Sequence, residues 1–405
     1  MRFIGEMVNS ITFAMLMPFL AIYMNEKMET AWQVGVVMSL SPLAMIIGSF
    51  LGGRISDSIG RKPVMVLSMV GNGLFLFGYV IFNHFLAYCF ISFGAGFFNA
   101  FFHPAASAMV ADVTPDNQQT EVFGFLRMGM NIGVAVGPML GTSVLFFSKS
   151  LIFILAATSL ILYGITLAFL LKETLHRNSK AEEAKKTITK GASKTFTTLL
   201  SDRVLFSFII AGLPIALVFS QTEGMLPLYF DKEMPWFKGP ENPYPYLMAY
   251  NGLLVATLQY VVSKWASPRP MGSMMLVGSI MFGLGIIEIV CVTHYFHSLI
   301  SNWSVMITFL LIGYTLYTFG EMILLPVQST FILRLAPKSL RGTYSGVSNL
   351  HMILGGMIGP ALSGYFFDMR QGFQFLLLMG FAGIFSGLAY ALISRSVESR
   401  KSFSL

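Results

Sequence analysis

Charge is what this chain has least of. Only 11% of its 405 residues are Asp, Glu, Lys or Arg, against roughly 25% in soluble domains. With 55% of residues hydrophobic, a soluble fold of this length could not hide its apolar surface, whereas lipid can cover it. Cysteine is also scarce. The two present, Cys89 and Cys291, fall inside apolar stretches, which gives no support to a disulfide or zinc framework. No His/Glu metal spacing, nucleophile–base pair or phosphate-cradling glycine loop stands out, which argues against an enzyme. No filter-like segment suggests a channel. A net charge of +7 would point to nucleic acid in a soluble protein. Here basic residues are expected to set membrane orientation, and no nucleic-acid partner is expected. The stretch from Phe3 to Tyr23 is as long as a full span and lacks a small-residue cleavage site, so it reads as a helix and not a leader.

What the chain does have is apolar runs of about 20 residues, repeated along its whole length. Twelve spans are expected, over 3–25, 33–53, 63–82, 85–111, 122–147, 151–172, 204–230, 246–264, 271–296, 304–335, 342–366 and 373–394. The expected organisation is a six-helix bundle over 1–172, a cytoplasmic linker over 173–203, a second bundle over 204–394 and a tail over 395–405. An even number of spans puts both termini on one side. Of the 26 Lys and Arg, Lys27, Lys149, Lys232, Lys238 and Arg370 fall on the other side, and Arg127 is near or inside a span. That bias places the termini in the cytoplasm of a cell whose plasma membrane the chain crosses.

The two bundles read as copies of one unit. Pro104, Pro115, Gly124, Gly133, Gly137 and Pro138 recur 222 residues later as Pro326, Pro337, Gly346, Gly355, Gly359 and Pro360. Gly and Pro shape backbone, so an ungapped match at six of them is more than shared apolarity. Tandem helical repeats with a substrate site between them are a common plan for secondary transporters.

Between spans 2 and 3 stands Gly53-Arg54-Ile55-Ser56-Asp57-Ser58-Ile59-Gly60-Arg61-Lys62. Gly53 allows close helix approach, Gly60 permits a tight turn, and Asp57 can pair with Arg61 or with a helix N-terminus of the other half. The segment resembles the signature loop of the major facilitator superfamily. That resemblance implies a latch, made of Gly53, Asp57, Gly60, Arg61 and Lys62, that stabilises the outward-facing state. Ser58 departs from the pattern where the family usually carries a basic residue, implying a weaker latch. The second copy, "SKWASPRPMG", is eroded.

Gly133, Gly137, Pro138 and Gly141 on span 5 resemble the Gly-Pro element of the superfamily's antiporter branches, and Gly359 and Pro360 repeat it on span 11. A proline bend packed through glycines can close one side of a cavity to leak. Across the whole chain the resemblance is to multidrug/proton antiporters with twelve spans. It implies an all-α, major facilitator-type membrane fold of two pseudo-symmetric six-helix bundles. It also implies a monomer driven by the proton gradient, with no cofactor and no metal, whose partners are protons, a small molecule and the bilayer.

Ionisable residues at membrane depth are the coupling candidates, since each is costly there. Glu321, in the middle of span 10, ranks first. Glu223, in the outer part of span 7, follows, with an acid near the external headgroups as the competing reading. Glu6 either couples protons or snorkels to the nearby interface. Glu288 in span 9 reads as structural or interfacial. Arg127 is either a counter-ion or an interfacial residue. Span 4 lacks the Arg that related exporters carry, which leaves Arg127 as its substitute. Asn99 occupies in span 4 the place that Glu321 takes one repeat later. With Asn131 and His351 it completes the cavity candidates, interhelical hydrogen bonding being the alternative for each. Abundant Tyr, Phe and Met would suit flat, lipophilic cations.

The expected function is therefore proton-coupled efflux of lipophilic or cationic drugs by alternating access. Export of an endogenous metabolite, sugar or lipid on the same fold is the alternative.

Overall fold

Residues 2–115, 119–145, 147–174, 202–233, 242–299, 303–336, 344 and 347–402 are described by a computed structural model. The first half comprises α1 (Arg2–Asn25), α2 (Ala31–Ile59), α3 (Arg61–Ile81), α4 (Phe85–Asn99), α5 (Phe102–Val113), α6 (Gln119–Leu145) and α7 (Lys149–Leu170). The second comprises α8 (Arg203–Ser220), a π-helical segment (Gln221–Met225), α9 (Leu226–Glu233), α10 (Tyr244–Ala266), α11 (Met271–Leu299), α12 (Trp303–Leu335), α13 (Leu350–Asp368) and α14 (Gly372–Ser402). Among the described residues there is no strand. In hydrocarbon every backbone N–H and C=O must pair within its own segment, and the α-helix achieves this.

Eleven spans among the described residues are long and apolar enough to cross a membrane. The eighth expected span, 246–264, forms α10, 23 residues long, but carries Asn251, Thr257 and Gln259 and is too polar to be counted with them. Two spans expected to be continuous are interrupted. Span 4 breaks between α4 and α5, where Pro104 cannot donate to the carbonyl of Ala100 and crowds it. Span 7 is interrupted by the π-helical turn, in which the amide of Leu226 reaches back to the carbonyl of Gln221. α14 runs on to Ser402, so residues 395–402 of the expected tail are helical. Most of the linker, and residues 337–343, lie outside the described residues.

Helix packing repeats between the halves. In the first, α1 packs on α6, α3 on α7 and α4, and α2 on α4; in the second, α8 packs on α13, α11 on α14 and α12, and α10 on α12. The expected Gly-Pro elements sit in equivalent seams. Gly133 faces Met7 and Ser10 of α1, Gly137 faces Ile11 and Ala14, and Gly141 faces Met15 and Phe19. Gly129, one turn earlier, faces Phe3, so the stripe recurs every fourth residue. On α13, Gly355 and Gly359 face Ala216 and Ser220 of α8. Glycine lets two backbones touch, the contact that stabilises helix pairs where lipid competes for apolar side chains. The expected bend elements thus join helices within each half.

The halves meet along α2 with α13 and α6 with α10. Among the described residues, their close contacts lie toward the face opposite the two termini. Gly35 abuts the backbone at Pro360, Gly364 that at Ala31, Gly356 the ring of Pro42, and Gly252 the backbone of Ala135. Asp368 adds a polar clasp: its two carboxylate oxygens accept the backbone amides of Ala31 and Trp32, each at 2.8 Å. At the other end of α2, Gly48 and Gly52 turn instead to Phe97 and Phe101 of their own half.

Candidate functional site

At the face carrying the termini, Gly60 stands between α2 and α3 with φ of 118°, a backbone conformation that a residue with a side chain rarely adopts. That turn brings Arg61 one helical turn from Asp57, and the two pair at 2.5 Å. The same guanidinium donates to Ser56 Oγ at 3.1 Å, and its Nε lies 3.5 Å from Asp112 at the end of α5. Glu173, just past α7, caps α3 by accepting the amides of Arg61 and Lys62, each at 3.0 Å. Every one of these partners belongs to the first half. Of the two partners expected for Asp57, Arg61 is engaged. Among the described residues, nothing lies within 4 Å of where a Cβ of residue 53 would stand.

At mid-depth in the second half, Glu321 projects from α12 toward α10. The amide nitrogen of Asn251 donates to Glu321 Oε2 at 3.0 Å and to Thr318 Oγ1 at 2.9 Å. Thr318 in turn donates to the carbonyl of Tyr314 at 2.7 Å. One turn away, the Tyr317 hydroxyl lies 3.0 Å from that of Thr222 in the π-helical segment. The Tyr244 hydroxyl donates to the Thr222 carbonyl. A π turn shifts hydrogen-bond register and makes carbonyls accessible, and such turns recur at functional sites. Gln221 in the same turn accepts from Ser363 of α13. The site is a carboxyl anchored by one amide within a cluster of tyrosines and threonines contributed by the π turn, α10 and α12. Among the described residues, no group of three or more His, Cys, Asp or Glu could hold a metal.

The remaining candidates are scattered. Glu223 lies within the π turn, though its side chain falls outside the described residues, as do those of Arg127 and Asn131 on α6. Glu6 is 4% exposed, buried within the protein. Asn99 ends α4 and is half-buried, while the amide holding Glu321 comes from the acid's own half. His351 is buried between Phe208 and Gly212 of α8, with its Nδ1 2.5 Å from the Ser348 carbonyl. Asn251, Thr318, Thr222, Glu173 and Asp368 were missed in the sequence. Only Asn251 left a trace there, as an amide within an expected span.

A sequence profile described as Major Facilitator Superfamily matches residues 2–360. The chain belongs to the Major Facilitator Superfamily. Within it, the chain is 30% identical to a Na(+), Li(+), K(+)/H(+) antiporter of Planococcus maritimus, over 98% of this chain and 96% of that protein. It is 24% identical to the multidrug resistance protein MdtH of Citrobacter koseri, over 95% and 91% of the respective lengths. Among solved structures, a POT family transporter in complex with 5-aminolevulinic acid superposes with a TM-score of 0.77 at 16% identity, covering 98% of this chain and 96% of that one. A bacterial homologue of the human lysosomal transporter Spinster, inward-facing and unoccupied, gives 0.76 at 13% identity, covering 97% and 95%. These two structural matches share the superfamily's fold. As a member of this family of small-molecule and ion transporters, the chain is a multi-pass membrane protein that carries its substrates by secondary transport.

Proposed function

We propose that this carrier exchanges protons for a lipophilic, cationic compound that it exports from the cytoplasm. The observation that supports this most is the Glu321 carboxyl. It sits at membrane depth with a single amide donor and tyrosines around it, an arrangement that can hold either a proton or a cation. Proton and cargo then compete for one group, and exchange follows without a cofactor. The Lys/Arg bias puts the termini in the cytoplasm of a plasma-membrane protein. The contacts between the halves, gathered at the opposite face, correspond on that reading to an inward-facing carrier. Return to the outward-facing state would free those contacts and engage the Asp57 latch. The carrier acts as a monomer, with Glu223 as a second site in the π turn and Glu6 as a third acid.

A second reading keeps the exchange and changes the cargo to an alkali cation. It is favoured by the relative from Planococcus maritimus, named as a Na(+), Li(+), K(+)/H(+) antiporter. A test is a cargo panel in proteoliposomes under an imposed pH gradient: ethidium, Na⁺, K⁺ and a neutral sugar. Gradient-driven ethidium movement that disappears in Glu321→Gln is expected. Movement of Na⁺ or K⁺ alone selects the second reading. Sugar transport alone, or ethidium transport untouched by Glu321→Gln, rejects the mechanism.

A further inference from the structure

Glu288 takes no part in the cluster around Glu321. It lies on α11 facing Gly313 of α12, and its carboxyl fills the notch left by the absent side chain there: a methyl group at Gly313 would collide with it. Both carboxyl oxygens are sealed from solvent, and neither finds a hydrogen-bond donor among the described residues. One turn toward Gly285 the helices close further, with that glycine against the backbone of Tyr317 and Gly313, and the Phe282 and Tyr317 rings pack at 4.6 Å.

The surroundings offer no charge to balance an anion. Cys291 lies one turn along α11. Tyr314, Tyr317 and the distant Glu321 are the titratable groups on the neighbouring part of α12. The stretch 372–384 of α14 carries none, and α9 contributes Tyr229, Asp231, Lys232 and Glu233 toward the opposite face. An ionised carboxylate at membrane depth without a donor is strongly disfavoured. The closed notch therefore suits only the neutral acid.

We propose that Glu288 is a further proton-binding site of the carrier, occupied while the α11–α12 seam is closed over it and emptied when the seam parts. Two carboxyls on either side of α12 would then load protons in one cycle. The stoichiometric half of this inference rests on the proton coupling proposed above; the occupancy of Glu288 does not.

Dicyclohexylcarbodiimide distinguishes the two. It reacts with a protonated carboxyl buried in apolar surroundings: the acid proton passes to a carbodiimide nitrogen, the carboxyl oxygen bonds the central carbon, and the adduct rearranges to an N-acylurea with no leaving group. Full-length protein labelled at pH 7 and mapped by peptide mass spectrometry is expected to carry the adduct at Glu288. Its extent there should be at least roughly tenfold greater than at Glu173 and Asp112, which are exposed to water. The adduct should persist in Glu321→Gln and fall in Gly313→Ala, whose methyl group evicts the carboxyl. In proteoliposomes, Glu288→Gln is expected to transport with one proton fewer per cargo, read from the pH gradient that nulls flux. An unlabelled Glu288 in wild-type protein overturns the inference whatever the variants do, and labelling with an unchanged proton ratio overturns its second half. Loss of coupling in Glu321→Gln or its absence tests the proposed function, and leaves the wild-type labelling result standing on its own.

Discussion

The carboxylate of Asp368 in one half accepts the amide of Ala31 in the other at 2.8 Å, and its second oxygen takes Trp32. An acid from α13 thereby caps α2, whose first amides would otherwise lack partners and whose N-terminus carries partial positive charge. Such a cap contributes about 0.5–2 kcal/mol, and here it does so only while the halves stay together at that face. Asp368→Ala should bias the carrier toward the opposite conformation. Spin labels at the exposed positions Phe82 and Gln371, with Cys89 and Cys291 replaced, should show a longer mean distance in the variant; an unchanged distribution would refute a clasp role.

Asn251→Ala should harm transport without unfolding the protein. It removes the one amide that donates to Glu321 and leaves a buried acceptor unsatisfied, a loss of about 1–3 kcal/mol for that group. Initial rates of gradient-driven exchange should fall at least roughly tenfold, with the protein still monodisperse and folded in detergent. Wild-type rates would contradict the role assigned to this contact.

Gly137 and Gly53 should separate packing from gating. A larger residue at Gly137 meets Ala14 and the backbone of Ile11, so Gly137→Val should lower thermal stability in detergent by the equivalent of about 1–3 kcal/mol. Gly53 has open space around it, and Gly53→Val should change stability by less than about 0.5 kcal/mol. If the latch engages in the other conformation, the same change should still slow transport. Normal transport would leave Gly53 without a conformational role.

Glu173→Ala should weaken the start of α3, because Glu173 accepts the amides of both Arg61 and Lys62. The expected cost is about 0.5–2 kcal/mol. Hydrogen exchange should show faster opening of the first turn of α3 than of α8, which Asp202 caps within its own chain segment. Equal protection would mean that Glu173 contributes nothing to the loop.

Much of this architecture was legible because hydrocarbon leaves few choices. Apolar runs of span length must be helices, and glycines repeated in register must mark seams that the two halves share. Glu321 was visible for the same reason, as a lone acid in an apolar run. The partners of these residues were not visible. Asn251, Asp368 and Glu173 bond across 70, 337 and 112 positions, and no local pattern says which helices become neighbours. Pro104 and Pro326 show the limit from the other direction. They occupy matching places in the repeat, yet the first interrupts its span while α12 runs unbroken through the second. A proline's missing hydrogen bond is a local fact; whether the helix breaks depends on what packs beside it.

The π turn from Gln221 to Met225 amounts to one surplus residue wound into span 7. Each residue of an α-helix advances about 100° around its axis, so everything beyond the turn is rotated by that angle relative to an uninterrupted helix. Deleting a single residue there would restore regular winding and swing Tyr229 and Phe230 away from the Phe367 and Tyr244 rings they now meet. The azimuth of the whole outer end of this span is set by five residues that look, in the sequence, like any other stretch of helix.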